Sequence, residues 1–393
     1  MPESPKFFLV AGESSGDLLG AGLMRGLKKL TGGKAGFAGV GGERMSAEGL
    51  EAIFPYEELA HVGVFELVLH LPRLLRRIRQ TVEEIKRLQP VAVVTIDSPD
   101  FNFRVAERLK KEKPEIPVIH YVAPSVWAWR PGRARRAARI FDQLMTLLPF
   151  EPPYFTREGL PSEFVGHPIV ESGADKGDAE RFRAKYNVPE NAPVLVVLPG
   201  SRASEINRLL PVFRKAVDLV SMKNCCLHVV MPTVRTVEER VKKDSCDWPV
   251  SVIVTLEDQD KYDSFAAATA ALACSGTVSV ELAMAKLPSV IAYKVNPLTA
   301  VLLRRLVKTE HATLINIMQG KAVMPEYLQE KCTPENLAAA VHELLNDSAA
   351  RARQKHELDA VAVWLGQGRF VPSERAARVV LEAALRVAEK KNS

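Results

Sequence analysis

The chain has 393 residues, which suits two domains better than one hydrophobic core. An apolar fraction of 47% and a charged fraction of 25% exclude a disordered or fibrous chain, and no run of about 18 uncharged apolar residues is present that would cross a membrane. The formal net charge of +6 is clustered, which points to an anionic partner: phosphates, acidic lipid or nucleic acid.

The opening residues, MPESPKFFLVAG, lack a basic segment ahead of a long apolar one, so no signal peptide is read and the chain is expected in the cytoplasm. Cys225, Cys226, Cys246, Cys274 and Cys332 show neither metal spacing nor a disulfide framework; they are expected to be reduced and structural. No metal and no other cofactor is expected.

In chain order, Lys6 to Val10 is a short apolar strand that runs into Ala11-Gly12-Glu13-Ser14-Ser15-Gly16-Asp17 and a helix from about Leu18 to Leu30. The loop has neither the GxGxxG spacing nor a P-loop lysine. Glu13 and Asp17 would repel a phosphate, so the loop suits hydroxyl or amine groups; the alternative is a tight turn whose Ser or Asp caps the helix. Gly36 to Gly42 is a strand into a glycine turn that lets a ligand or a neighbouring loop approach the backbone. His61 to Arg79 sets many apolar residues beside Arg73, Arg76, Arg77 and Arg79. That mixture fits a surface helix on an anionic membrane or an acyl-chain pocket, and equally a core-facing helix with a solvated basic face.

Val91 to Ile96 is the cleanest strand of the first half and ends at Asp97-Ser98-Pro99-Asp100-Phe101-Asn102. Ligands gather beyond the C-terminal ends of strands in open α/β sheets, so Asp97 and Asp100 are candidate general bases, of which at most one is expected to be catalytic. Val118 to Val122 is the next strand. It leads to Trp127, Trp129 and Arg130, then to Arg133, Arg135, Arg136 and Arg139. The tryptophans suit stacking on a sugar or base, a membrane interface, or packing at a domain interface. Leu144 to Leu148 is a further strand, and Phe164 to Pro168 the last before a hinge at 171–178; His167 reads as structural.

From about Asp178 the alternation restarts, with strands at Val194–Leu198, Leu227–Met231, Val250–Val254, Ala270–Cys274 and Pro288–Tyr293. After the first, Pro199-Gly200-Ser201-Arg202 precede a helix with Ile206, Leu209, Leu210 and Phe213 on one face. A strand, a small-residue turn and a helix N-terminus suit an anion, and Arg202 adds a fork suited to phosphate; a plain βα turn with a solvated arginine is the alternative. Ser275-Gly276-Thr277 follows the fourth strand as a second cradle, and Glu281, a turn inside the next helix, suits two ribose hydroxyls; a plain turn with Glu281 in solvent is the alternative. Pro297 to Val307 is another apolar-basic segment. Leu314 to Gln329 is expected to be loop and short helix, where Asn316 and Glu326 either read a base or sugar or cap the helix. The helix Thr333–Leu345 reads as structural, and Ser373–Lys390 is a last helix that packs on the first domain or forms a homodimer.

Taken together, Ala11 to Asp17, Ile96 to Asn102, Ser125-Val126-Trp127-Ala128-Trp129-Arg130, Pro149-Phe150-Glu151, Gly166-His167-Pro168, Leu198 to Arg202 and Ser275-Gly276-Thr277 resemble the lipid-A-disaccharide synthase family over nearly the whole chain. The resemblance implies an α/β, GT-B-type fold: two Rossmann-like domains facing across a cleft, residues 1–170 for acceptor and lipid, residues 171–370 for the UDP-sugar, and a helix at 371–393. It implies inverting transfer of 2,3-diacylglucosamine from UDP-2,3-diacylglucosamine to 2,3-diacylglucosamine 1-phosphate (lipid X), giving a β-1,6 disaccharide 1-phosphate and UDP. The expected base is Asp97, then Asp100, then Glu13. Gly200, Ser201, Arg202, Ser275, Gly276, Thr277, Glu281 and Asn316 are expected at the UDP-sugar. Gly12, Ser14, Ser15, Gly16, Asp17, Trp127 and Arg130 are expected at the acceptor or its loop. The implied partners are both sugar substrates and the anionic inner face of the inner membrane, with no nucleic acid. Rival readings are another GT-B transferase or a UDP-sugar epimerase, a nucleic-acid binder, and a membrane-associated scaffold.

Overall fold

The computed structural model describes residues 3–60, 67–128, 131–224, 226–296 and 311–392. The chain forms two units, Met1–Pro168 with Leu365–Ser393, and Ile169–Trp364. Residues 61–66, Trp129, Arg130, Cys225 and the basic segment at 297–307 lie outside the described residues.

The first unit is built on seven parallel strands: β1 (Lys6–Ala11), β2 (Gly36–Val40), β3 (Leu50–Ala52), β4 (Ala92–Ile96), β5 (Val118–Tyr121), β6 (Gln143–Thr146) and β7 (Ser162–Phe164). Their order is β3-β2-β1-β4-β5-β6-β7. A parallel sheet carries helices on both faces, so its central strands are buried on both and mostly apolar. In β1, Phe8 and Val10 join a core with Phe101, Phe103 and Phe155, while Phe7, Leu9 and Ala11 face the other way onto Leu19, Leu23, Leu27 and Val380. The helix Pro372–Asn392 completes that second layer by packing on the helix Ser14–Leu30. Their approach depends on Gly26: a Cβ there would stand 2.7 Å from the Ser373 carbonyl oxygen.

The second unit has β8 (Val194–Leu198), β9 (His228–Pro232), β10 (Ser251–Thr255), β11 (Ala270–Cys274), β12 (Ser289–Tyr293) and β13 (Glu326–Leu328) in the order β10-β9-β8-β11-β12-β13. The helix Ala203–Ser221 buries Ile206, Leu209, Leu210 and Phe213, the expected stripe. The edge strands β3 and β13 have no signature of their own. β13 replaces part of an expected loop because Glu326, Tyr327 and Leu328 pair with Ile291, Ala292 and Tyr293.

Each sheet reverses its strand order once, between β1 and β4 in the first unit and between β8 and β11 in the second. Loops diverge at such a point and leave a crevice beyond the strand ends. The motifs at Gly12–Asp17 and Asp97–Asn102 flank the first reversal, and those at Gly200–Arg202 and Ser275–Thr277 flank the second.

Candidate active site

Beyond the C-terminal ends of the second unit's strands lies a cavity of about 720 Å³. Gly200, Ser201, Arg202, Ser275, Gly276, Thr277 and Glu281 all line it, joined by Glu205, Arg235, Asp258, Lys261 and Tyr293. The two turns expected to cradle anions differ in state. At the first, the Glu205 carboxylate accepts hydrogen bonds from the Ser201 and Arg202 backbone N–H groups, at 3.0 and 3.3 Å, and its other oxygen lies 3.3 Å from Arg202 Nη1. These donors were expected to await a phosphate, but an internal carboxylate holds them. Gly200 permits this: its φ is +120°, and a Cβ would stand 2.5 Å from Glu205. The Arg202 side chain itself is 81% exposed and remains available to a ligand.

The second turn is open. Ser275 N–H is used by the Ala292 carbonyl, but the N–H groups of Gly276, Thr277 and Val278 have no partner among the described residues, as befits the start of a helix. A Cβ built on Gly276 meets nothing within 4 Å, and its backbone is not left-handed. Gly276→Ala is therefore expected to leave folding intact yet weaken UDP binding by about tenfold or more if a phosphate lies against the loop. Calorimetric titration with UDP reads this; unchanged affinity would move the diphosphate elsewhere.

Glu281 is not a solvated side chain. Its Oε2 lies 2.9 Å from Lys261 Nζ, and both side chains are only 20% exposed. Burial disfavours the Lys261 charge, but Glu281, Tyr262 and Asp258 outweigh it and hold its pKa above the ordinary value.

Asn316 does not join this site. It is fully buried, with Nδ2 donating to the Met324 carbonyl at 2.8 Å and Oδ1 accepting from Met324 N–H at 2.9 Å. Both ends of the amide are consumed in closing a loop. Glu326 likewise caps, accepting from Ala312 N–H, Thr313 N–H and the Thr313 hydroxyl.

In the first unit, several residues expected at the acceptor are framework. Asp17 is buried, and its carboxylate accepts from the N–H groups of Gly42, Arg44 and Met45, capping the helix Glu43–Ala47. Gly12 is needed because the Ser98 hydroxyl oxygen lies 2.6 Å from where its Cβ would be; Gly16 fits against Ala11 and the Ile96 carbonyl. Glu13, Ser14 and Ser15 are exposed at the start of the first helix.

Asp97 and Ser98 follow β4 with φ of +49° and +43°, a conformation that costs non-glycine residues about 1–3 kcal/mol each. The buried Asn102 amide holds this turn, donating to the Asp97 carbonyl at 2.7 Å and the Ile96 carbonyl at 3.1 Å. Burial pushes the Asp97 carboxyl above the usual carboxylate range, against the opposing pull of the Ser98 N–H. Asp100 sits in the first turn of the helix Pro99–Glu112, 89% exposed, with Arg133 3.8 Å away.

Trp127 is half-buried. Its indole N–H donates to Glu151 at 3.2 Å and its ring meets Phe150 edge-on at 5.4 Å, so the loop is anchored within its own unit; Arg130 lies outside the described residues. Burial pushes Glu151 up to about 7, although Leu148 N–H and Trp127 oppose it. From the unfolded value near 4.5 up to about 7, the unfolded chain releases this proton while the folded chain keeps it. Stability contributed by Glu151 is thus full below that window and is lost as pH rises through it. Glu151→Gln is expected to shrink the loss of unfolding free energy between about pH 5 and about pH 8 by about 3 kcal/mol in denaturant titrations. An undiminished loss would show that Glu151 is not the group responsible.

Glu205 and Lys261 escaped the sequence reading, and Glu151 entered it only as part of a family motif. Glu205 had a signal, a glutamate at the third position of a helix, where capping boxes place it. Lys261, in DQDKYDSF, had none. A family model described as lipid-A-disaccharide synthetase matches residues 7–380. The lipid-A-disaccharide synthase of Rhodospirillum centenum is 52% identical over 374 residues, covering 95% of this chain and 93% of its own. The UDP-GlcNAc 2-epimerase of Neisseria meningitidis, solved bound to UDP-GlcNAc, matches with a TM-score of 0.64 at 12% identity over 97% of this chain and 100% of that one. The calicheamicin glycosyltransferase CalG4 matches with a TM-score of 0.62 at 19% identity over 99% and 100%. At such identities these two structures speak for the fold, two parallel Rossmann-like sheets of the GT-B type.

Proposed function

This chain belongs to the lipid-A-disaccharide synthase family, and on that footing we propose that its second unit binds the UDP-sugar and its first unit the acceptor. It is a glycosyltransferase of lipid A biosynthesis. In its reaction, 2,3-diacylglucosamine passes from UDP-2,3-diacylglucosamine to 2,3-diacylglucosamine 1-phosphate, giving the β-1,6-linked disaccharide 1-phosphate and UDP. The observation that carries the donor assignment is the cavity at the second reversal point, where Arg202, the open Gly276–Val278 N–H groups and Glu281 meet. These are the groups that a nucleoside diphosphate needs: donors and a cation for the phosphates, a carboxylate for the ribose.

The acceptor's 6-hydroxyl attacks the anomeric carbon as Asp97 takes its proton. The bond from that carbon to the phosphate oxygen breaks, the electron pair leaves with UDP, and the configuration inverts. Arg202 and the Gly276 and Thr277 N–H groups meet the charge that develops on the diphosphate. A mass-spectrometric assay of purified protein with both sugars tests the reaction: a disaccharide monophosphate plus UDP supports it, and consumption of UDP-N-acetylglucosamine alone would replace it with an epimerase.

No helix among the described residues is long and apolar enough to cross a membrane. Peripheral binding to the anionic inner face of the inner membrane is supported by the helix Leu67–Leu88. Arg77 pairs with Glu58 and covers the Phe54 ring at 4.6 Å, while Arg73 and Arg76 are exposed around a hollow of about 350 Å³. At about 1 kcal/mol per arginine near an anionic surface, the double variant Arg73→Ala/Arg76→Ala is expected to bind phosphatidylglycerol vesicles about 30-fold more weakly. Unchanged co-sedimentation would remove this face from the membrane.

A further inference from the structure

Lys261 and Glu281 reach the cavity from different elements. Lys261 lies in the helix Asp258–Ala267, which follows β10, and Glu281 in the helix Val278–Met284, which follows β11. The ammonium is enclosed by its own surroundings: Glu281 Oε2 at 2.9 Å, Asp258 Oδ1 at 3.4 Å and the Tyr262 ring at 4.7 Å. Its charge is matched by two carboxylates, whereas Arg202 pairs with one, Glu205 at 3.3 Å, from a side chain that is 81% exposed. For Glu281 the ion pair offsets the cost of burying a carboxylate and sets one oxygen, Oε2, against the ammonium.

We infer that Lys261 is a positioning residue for nucleotide recognition, holding Glu281 Oε2 so that Oε1 is presented to the ribose diol. The inference rests on the assignment of the second unit to the UDP-sugar. It explains why a lysine lining a diphosphate cavity is not spent on phosphate: two carboxylates already surround it. It also makes ribose recognition a property of two helices rather than of Glu281 alone. A glutamate without Lys261 keeps its chemistry but loses the contact that fixes its rotamer.

The test compares binding of UDP with that of 2′,3′-dideoxyuridine diphosphate by calorimetric titration, with thermal melting of each variant to establish folding. The wild-type protein is expected to prefer UDP by on the order of tenfold or more, the effect of hydrogen bonds to a charged acceptor. Glu281→Gln is expected to reduce that preference to about twofold or less. Lys261→Met is expected to reduce it nearly as far while leaving affinity for the dideoxy ligand within about twofold, and Lys261→Arg to restore much of it. The double variant Lys261→Met/Glu281→Gln is expected to discriminate no worse than Glu281→Gln.

The two possible failures are distinct. If the preference is absent in the wild type or survives Glu281→Gln, the ribose assignment of Glu281 falls and the inference with it. If Glu281→Gln removes the preference but Lys261→Met keeps it, only the role of Lys261 is overturned. Equal weakening of both ligands by Lys261→Met also overturns it, because a lysine acting on the phosphates would produce that pattern.

Discussion

Asp97→Asn is expected to lower turnover by on the order of 10²–10⁴ while UDP-sugar affinity stays within about twofold of wild type. The amide keeps the size and polarity of the side chain and removes only its ability to take a proton. The turn that presents Asp97 is held at backbone carbonyls by Asn102, a support that survives the substitution. The pH profile supplies a second readout. Because burial raises the Asp97 pKa, the acid limb of kcat/KM is expected above the usual carboxylate range. Activity falls as pH drops through that value, since the protonated carboxyl cannot accept the hydroxyl proton. Wild-type turnover in Asp97→Asn would pass the role to Asp100 or Glu13. Asp100 is the weaker candidate, because its side chain is 89% exposed and has Arg133 3.8 Å away.

Arg202→Ala is expected to cost on the order of 10²–10³ in turnover and to weaken UDP-sugar binding as well. The loss falls on the side chain alone, because the Ser201 and Arg202 backbone donors are already held by Glu205. Arg202→Lys is expected to recover only part of the loss, since an ammonium restores the charge without the planar fork that can span two phosphate oxygens. Steady-state kinetics with a parallel UDP titration separate the two effects. If both turnover and affinity are unchanged, Arg202 is a solvated arginine and the diphosphate site needs another cation.

The sequence by itself determined the two αβ alternations, the buried central strands and the glycine turns that follow β1, β2, β8 and β11. Strands such as Val194–Leu198 are covered on both faces, so local composition alone betrays them. Family motifs at Asp97–Asn102, Leu198–Arg202 and Ser275–Thr277 were equally legible, since each lies within a few consecutive residues. The edge strands Leu50–Ala52 and Glu326–Leu328 were not, because their register is imposed by a neighbouring strand.

What only the tertiary structure decided is which polar groups are already spent. Asp17 resembled a ligand-facing carboxylate until Gly42, Arg44 and Met45, more than twenty residues away, supplied its donors. Asn316 was consumed by Met324. Glu205 closed one anion cradle and left the other, at Gly276, open. Lys261 acquired a role only because two helices from different strands bring it to Glu281. A buried donor or acceptor must find a partner somewhere, and the fold, which brings distant segments together, determines whether that partner is the protein itself or a substrate.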